Sequence, residues 1–261
     1  MTTSEYRYIR VEHVGHAAVV TIDNPPVNAL HPDVSDEIAA AAAAIAEDFS
    51  IRSMVLTGEG RCFVAGGDIK YFTSLDRDTA AEMALRTQRM QHALFDLRVP
   101  VIAALNGHAL GGGCELMFAC DIAIAVESAT IGLTEVTLGL IPGAGGTQMI
   151  TRYLPPGTAK RLLFTGDRLT ATEAHRLGLI DQVVPDGGAR EAGLELAERI
   201  NARGPLAVEA AKRSANYELR HSEDAGHRRE VEIFSALFDS TDHREGITAF
   251  LEKRTPRFTR A

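Results

Sequence analysis

The sequence predicts an α/β protein, a core of strands alternating with helices followed by a tail made only of helices. Three observations carry that expectation. Short β-branched or apolar runs bounded by turn residues alternate with segments of helical periodicity as far as about residue 188. Past that point strand patterns vanish, and 190–201, 205–219, 222–239 and 241–253 all read as helices. Twice, the chain runs strand, glycine-punctuated turn, paired glycines, helix.

In chain order, Ala17 to Ile22 is apolar and β-branched and reads as a strand ending at the Asn24-Pro25-Pro26 turn. Pro32 suits the first position of a helix running to about Asp48, with Val34, Ile38, Ile45 and Phe49 expected to face inward. Ser53 to Leu56 reads as a short buried strand closed by Gly58 and Gly60. A helix from about Asp78 carries Met83, Met90, Leu94 and Leu97 on one stripe. Val101 to Leu105 is a further strand, stopped by Asn106-Gly107. The last two helical segments are heavily apolar (Ile233, Phe234, Leu237, Phe238, Ile247, Phe250, Leu251), as expected of an appendage that packs on the core or on another subunit. The chain thus divides into a core over 1–188 and a helical region over 189–261.

The 261 residues carry 27 Lys plus Arg against 35 Asp plus Glu, a net charge of −8, and 45% hydrophobic residues. That balance argues against a nucleic-acid or anionic-membrane binder, either of which needs a basic face. An anionic small molecule needs only a few local cations and stays possible. Cys62, Cys114 and Cys120 form no CxxC pair, and an odd count makes a poor disulfide framework, so a reduced, cytoplasmic protein is expected. Met1 to Arg10 is polar and unlike a signal peptide, and no stretch approaches the length of a membrane span. Walker GxxxxGK[ST], HExxH, GxSxG and GxGxxG patterns are absent, and the nine histidines show no metal-like spacing. His108, beside the second glycine turn, reads as structural.

The chemistry is concentrated in the glycine turns and in a region poor in charge. Ala65-Gly66-Gly67-Asp68 follows the first strand and Leu110-Gly111-Gly112-Gly113-Cys114-Glu115 the second. Glycine lets backbone approach a ligand, and the first amides of a helix are free donors at its positive end. Two such turns brought together would aim two N–H groups at one point, which is what an oxyanion hole requires; the plainer alternative is that the glycines only turn the chain. From Val99 to Thr151 there are four charges, Glu115, Asp121, Glu127 and Glu135, where the chain-wide 24% would place about 13. Glu115 and Glu135 lie in apolar neighbourhoods with no adjacent cation. Desolvation would favour their protonated forms and fit them as a general base and general acid. The alternatives are a first-turn glutamate at a helix N-terminus for Glu115 and a cap for Glu135.

These residues resemble the crotonase superfamily, the enoyl-CoA hydratases and isomerases. The likeness rests on Pro25 to Leu30, Phe63 to Lys70, Asn106 to Leu116, Glu135 with Leu138 to Thr147, Phe164 to Gly166, Ala171 to Leu179 and Ala249 to Phe258, nearly the whole chain in order. The resemblance implies an α/β spiral of ββα units with a C-terminal helical trimerisation region, as a homotrimer or a hexamer built as a dimer of trimers. It implies an oxyanion hole from the Gly67 and Gly112 amides and two catalytic glutamates, Glu115 as base and Glu135 as proton donor to the α-carbon. The substrate would be an acyl-CoA, with no separate cofactor and no metal. Backbone at Ala65, Asp68, Ile69 and Lys70, with Val27 nearby, would hold the CoA moiety, and Phe250 and Lys253 would reach a neighbouring subunit's ligand. Two departures stand out. Gly67 replaces the alanine of many hydratases, and the Pro25 to Asn28 loop has no lysine, which leaves Arg61, Lys70 and Lys253 for the phosphates. The implied reaction is hydration of a trans-2-enoyl-CoA. The alternatives are 3,2-enoyl-CoA isomerisation or another acyl-CoA reaction of the family, and a non-catalytic acyl-CoA-binding protein.

Overall fold

Strands that are apolar on both faces need cover on both faces, which favours parallel sheets wrapped in helices. The computed structural model, which describes residues 6–218 and 223–261, satisfies that need with two sheets. After the edge strand β1 (Ile9–Val14) and β2 (Ala17–Ile22), three consecutive strands, β3 (Ser53–Gly58), β5 (Val101–Leu105) and β7 (Ile122–Val126), pair in parallel in the first sheet. β10 (Gln182–Val184) completes its order β1-β2-β3-β5-β7-β10, in which only β1 and β2 are antiparallel. Each of the three central strands passes the chain, within two or three residues, to a short strand of the second sheet: β4 (Cys62–Val64), β6 (His108–Leu110) and β8 (Thr130–Gly132). β9 (Leu169–Thr170) closes that sheet in the order β4-β6-β8-β9. Helical segments follow each short strand, so the expected ββα spiral is present.

Helix α1 (Pro32–Glu47) begins with His31 accepting from the Asp33 amide and with Pro32 in its first turn. Val34, Ile38 and Ile45 are buried as expected, but Phe49 is 59% exposed. The reason is that the helix stops at Glu47, so Phe49 leaves the helical period and its ring lies beneath the Arg98 and Arg260 guanidinium groups instead, 5.0 and 4.7 Å away. After α2 (Ile69–Phe72), helix α3 (Arg77–Phe95) starts in an Asp76–Thr79 capping box and packs on α1, where Arg86 bonds Asp33 and Asp36. On its stripe Met90, Leu94 and the following Leu97 are buried, while Met83 is half-buried. Helix α4 (Gly112–Phe118) lies against β4 so closely that a Cβ on Gly113 would stand 2.0 Å from Val64 O, so only glycine fits there.

A 3-10 turn (Glu135–Leu138) and helices α5 (Gly146–Tyr153), α6 (Pro156–Thr165) and α7 (Ala171–Arg176) lead to the tail. There α8 (Ala189–Asn201) crosses the first sheet with Gly193 over Val55 and Ala104. On α9 (Pro205–Glu218), the Lys212 ammonium reaches into the core to Leu94 O, Val99 O and Asp121. Helices α10 (Glu223–Ala236) and α11 (Thr241–Leu251) follow, the expected span 222–239 beginning outside the described residues at 222. The final residues fold back: the Asp242 carboxylate accepts from the Thr259 and Arg260 amides, and Arg260 pairs with Glu209, which also pairs with Arg98. Of the apolar tail residues Ile233 is buried, whereas Phe234, Phe238, Phe250 and Leu251 face outward.

Candidate active site

β4 and β6 are parallel neighbours, with Cys62 opposite His108 and Val64 opposite Ala109, so the chain leaves their carboxyl ends side by side. That adjacency brings the two glycine turns together. Gly66 and Gly111 take positive φ (115° and 51°), which bends each turn so that the next residue presents its amide. Gly112 opens α4, and a Cβ built on it would lie 3.9 Å from Gly67 N. Among the described residues, neither the Gly67 nor the Gly112 amide has a main-chain acceptor. The turns are braced from behind. Asn28, buried with φ 54°, donates to Glu59 O and Cys62 O, and Asn106 accepts from Gly58 N and donates to Gly60 O. Leu30 N donates to Gly66 O, which seats the Leu30 side chain over Gly112.

Both candidate carboxylates reach this place. Glu115 projects from the first turn of α4 and is only 4% exposed. Its Oε1 accepts from Ala144 N (2.8 Å) and Gly146 N (2.9 Å), so it caps the start of α5 rather than its own helix. Burial raises its pKa to about 7, with nearby Glu135 adding to the shift and the Gly146 and Ala144 amides opposing it. Glu135 approaches from the other side, its Oε1 3.2 Å from where a Gly111 Cβ would be. Among the described residues its Oε2 is buried without a hydrogen-bond partner, and burial raises its pKa as well. A buried carboxyl oxygen left unpaired is costly unless the group is protonated or waits for a ligand. The Cys114 thiol, completely buried, is pushed well up by burial and then by both glutamates.

Of the other expected site residues, Val27 and Ala65 meet through the Ala65 N to Val27 O bond (3.1 Å) beside the first glycine turn. The Asp68 carboxylate caps α2 by accepting from Lys70 N and Tyr71 N, while Ile69 and Lys70 are exposed beside it. Phe250 and Lys253 are placed apart, exposed at the end of α11, and among the described residues no hydrogen bond or ion pair joins them to the cluster. His108 is structural, its Nδ1 meeting Thr130. Among the described residues no three His, Cys, Asp or Glu side chains group so as to hold a metal. Sequence reasoning missed the amides that hold Glu115; Gly143-Ala144-Gly145-Gly146 was the available signal. It also missed the Gln88 side chain, which donates to Gly143 O and supports that loop.

On a two-sheet ββα spiral, two glycine amides without main-chain acceptors among the described residues lie beside two carboxyl groups with raised pKa, an arrangement suited to chemistry that stabilises an oxyanion while protons move. The chain belongs to the enoyl-CoA hydratase/isomerase family, whose profile matches residues 13–261. It is 40% identical over 255 residues to crotonyl-CoA hydratase of Syntrophomonas wolfei, covering 97% of this chain and 98% of that one. The short-chain-enoyl-CoA hydratase of Clostridium acetobutylicum is 37% identical over 96% of this chain and 97% of its own length. Among solved structures, an enoyl-CoA hydratase from Bacillus anthracis superposes with a TM-score of 0.94 at 36% identity, covering 98% of this chain and all of that one.

Proposed function

We propose that the protein is an enoyl-CoA hydratase, adding water across the 2,3 double bond of a trans-2-enoyl-CoA to give a 3-hydroxyacyl-CoA. The observation that carries this reading is the pairing of Glu115 and Glu135 beside the unpaired Gly67 and Gly112 amides. The thioester oxygen accepts from both amides, each worth about 3–4 kcal/mol in the transition state by the standard of other oxyanion holes. Ionised Glu115 takes a proton from water as its oxygen attacks C3, and electron density moves through C2 onto the held oxygen. Protonated Glu135 then delivers a proton to C2 as the enolate collapses. The pair ends with its proton exchanged, and one transfer through solvent restores it. Only the enoyl-CoA and water are consumed, so the reaction needs no cofactor. Arg61, Lys70 and Lys253 are the cations proposed for the CoA phosphates.

The test is loss of the conjugated enoyl absorbance with crotonyl-CoA and longer trans-2-enoyl-CoA substrates, with the product identified by mass. Conversion to 3-hydroxyacyl-CoA with kcat/KM in the usual enzyme range, about 10⁴–10⁸ M⁻¹s⁻¹, is expected. A 3-enoyl product would make the protein an isomerase, and tight acyl-CoA binding with no product would make it a binding protein.

The outward Phe234, Phe238, Phe250 and Leu251 support a homotrimer or hexamer assembled through 189–261. Sedimentation should give three or six times the 28.1 kDa protomer, and Phe234→Glu with Phe238→Glu should reduce it towards one. A monomeric wild type would refute the assembly. The three unpaired, buried thiols support a cytoplasmic location.

A further inference from the structure

A Cβ built on Gly67 would stand 2.5 Å from Phe72 Cζ, 3.1 Å from Cε1 and 3.4 Å from Cε2, so the space a side chain would take at Gly67 is filled by a phenyl ring. We propose that Phe72 is a specificity-determining residue: its ring, interlocked with Gly67, limits the substituent an enoyl-CoA can carry at C2. The proposal rests on the hydratase reading.

The ring is held in place by its backbone. Asp68 caps α2, Phe72 N donates to Asp68 O, Leu75 N donates to Phe72 O, and the neighbouring Tyr71 ring meets His31 edge-on at 4.6 Å. With a Cα–Cβ bond of about 1.5 Å, the ring tip is in van der Waals contact with Gly67 Cα, one bond from the amide that would hold the thioester oxygen. On the other side, Leu30 Cδ2 comes within 3.2 Å of where a Gly112 Cβ would be. A carbonyl held by both amides therefore has C1 between two apolar walls, Phe72 and Leu30. C1 bears sulfur, which carries only the CoA chain, and C2, which is the nearest atom at which acyl groups differ. A hydrogen at C2 needs no room beyond the walls, whereas a methyl group competes with the ring.

The experiment compares kcat and KM for crotonyl-CoA and 2-methylcrotonyl-CoA in wild type, Phe72→Ala, Gly67→Ala and the double variant. Phe72→Ala is expected to raise the 2-methyl/unbranched ratio of kcat/KM at least ~10-fold, the usual worth of one methyl group in a pocket. Gly67→Ala is expected to lower kcat/KM for crotonyl-CoA at least ~10-fold by driving the ring into the hole, and the double variant to recover most of that loss through coupling of the two sites. A ring that only braced the loop would lower both substrates alike and leave the ratio unchanged. A ratio within twofold of wild type in Phe72→Ala, or a double variant no better than Gly67→Ala, overturns the proposal while leaving the hydratase reading intact. A wild type that hydrates neither substrate overturns both.

Discussion

Replacing Glu115 by glutamine is expected to lower kcat by at least about 10³-fold with KM changed only a few-fold, while making the folded protein more stable above neutral pH. The loss follows from removing a general base, worth about 10²–10⁴, together with its charge beside the attacking water. The modest change in KM follows because the thioester would still be held by the Gly67 and Gly112 amides. The stability gain has a defined sign. Glu115 has its pKa raised from 4.5 to about 7 by burial, so ionising it disfavours the folded state. Below about pH 4.5 both folded and unfolded forms are protonated and the burial costs nothing extra. Between about 4.5 and 7 the unfolded chain gains charge that the folded chain resists, and above about 7 the cost levels off near 3 kcal/mol. Glutamine keeps an oxygen for the Ala144 and Gly146 amides and never ionises. Denaturant unfolding should therefore show Glu115→Gln ahead of wild type by a few kcal/mol more at pH 8 than at pH 4.5. An equal difference at the two pH values would show that Glu115 ionises alike in the folded and unfolded chain, with no raised pKa.

Glu135→Gln is expected to cost about 10²–10⁴-fold in kcat, and its effect on the pH profile separates its role from that of Glu115. In wild type, kcat/KM should fall on the acid side as Glu115 becomes protonated below about pH 7. The reaction also needs a proton on Glu135, whose pKa burial raises, so kcat/KM should fall again where rising pH removes that proton. Such coupled groups titrate as a pair, so the two limbs belong to the dyad. Glutamine at 135 should abolish the alkaline limb. An alkaline limb that persists in the variant would exclude Glu135 as the proton donor.

The candidate residues stood out in the sequence by their pattern. Paired glycines after a strand, and carboxylates isolated in a region without cations, are unusual patterns with physical causes, and the structure brings Gly67, Gly112, Glu115 and Glu135 into one place. The short strands β4, β6 and β8 were not legible from periodicity, since three residues cannot display a period of two. The ββα spiral was reached through the resemblance. β1 was hidden because an edge strand can carry Arg10, Glu12 and His13 with only Ile9 buried. Phe49 was misplaced by continuing a helical stripe two residues beyond the helix end. Nothing in the sequence marked Lys212, whose enclosed ammonium is satisfied by two carbonyls and Asp121. Phe72 fell in a stretch with no readable pattern, because the role proposed for it comes from the absence of a side chain five residues earlier.

Four backbone amides, those of Gly67, Gly112, Ala144 and Gly146, supply the polar contacts made to Glu115 and those proposed for the thioester. A point mutation cannot delete a backbone N–H unless it introduces proline, so this part of the apparatus is shielded from ordinary genetic drift. Side chains such as Phe72 and Leu30, which line the same space, have no such protection. A lineage built this way can change its diet of acyl groups by single substitutions and keep its reaction throughout. Directed evolution of this scaffold should accordingly yield new substrates sooner than new chemistry.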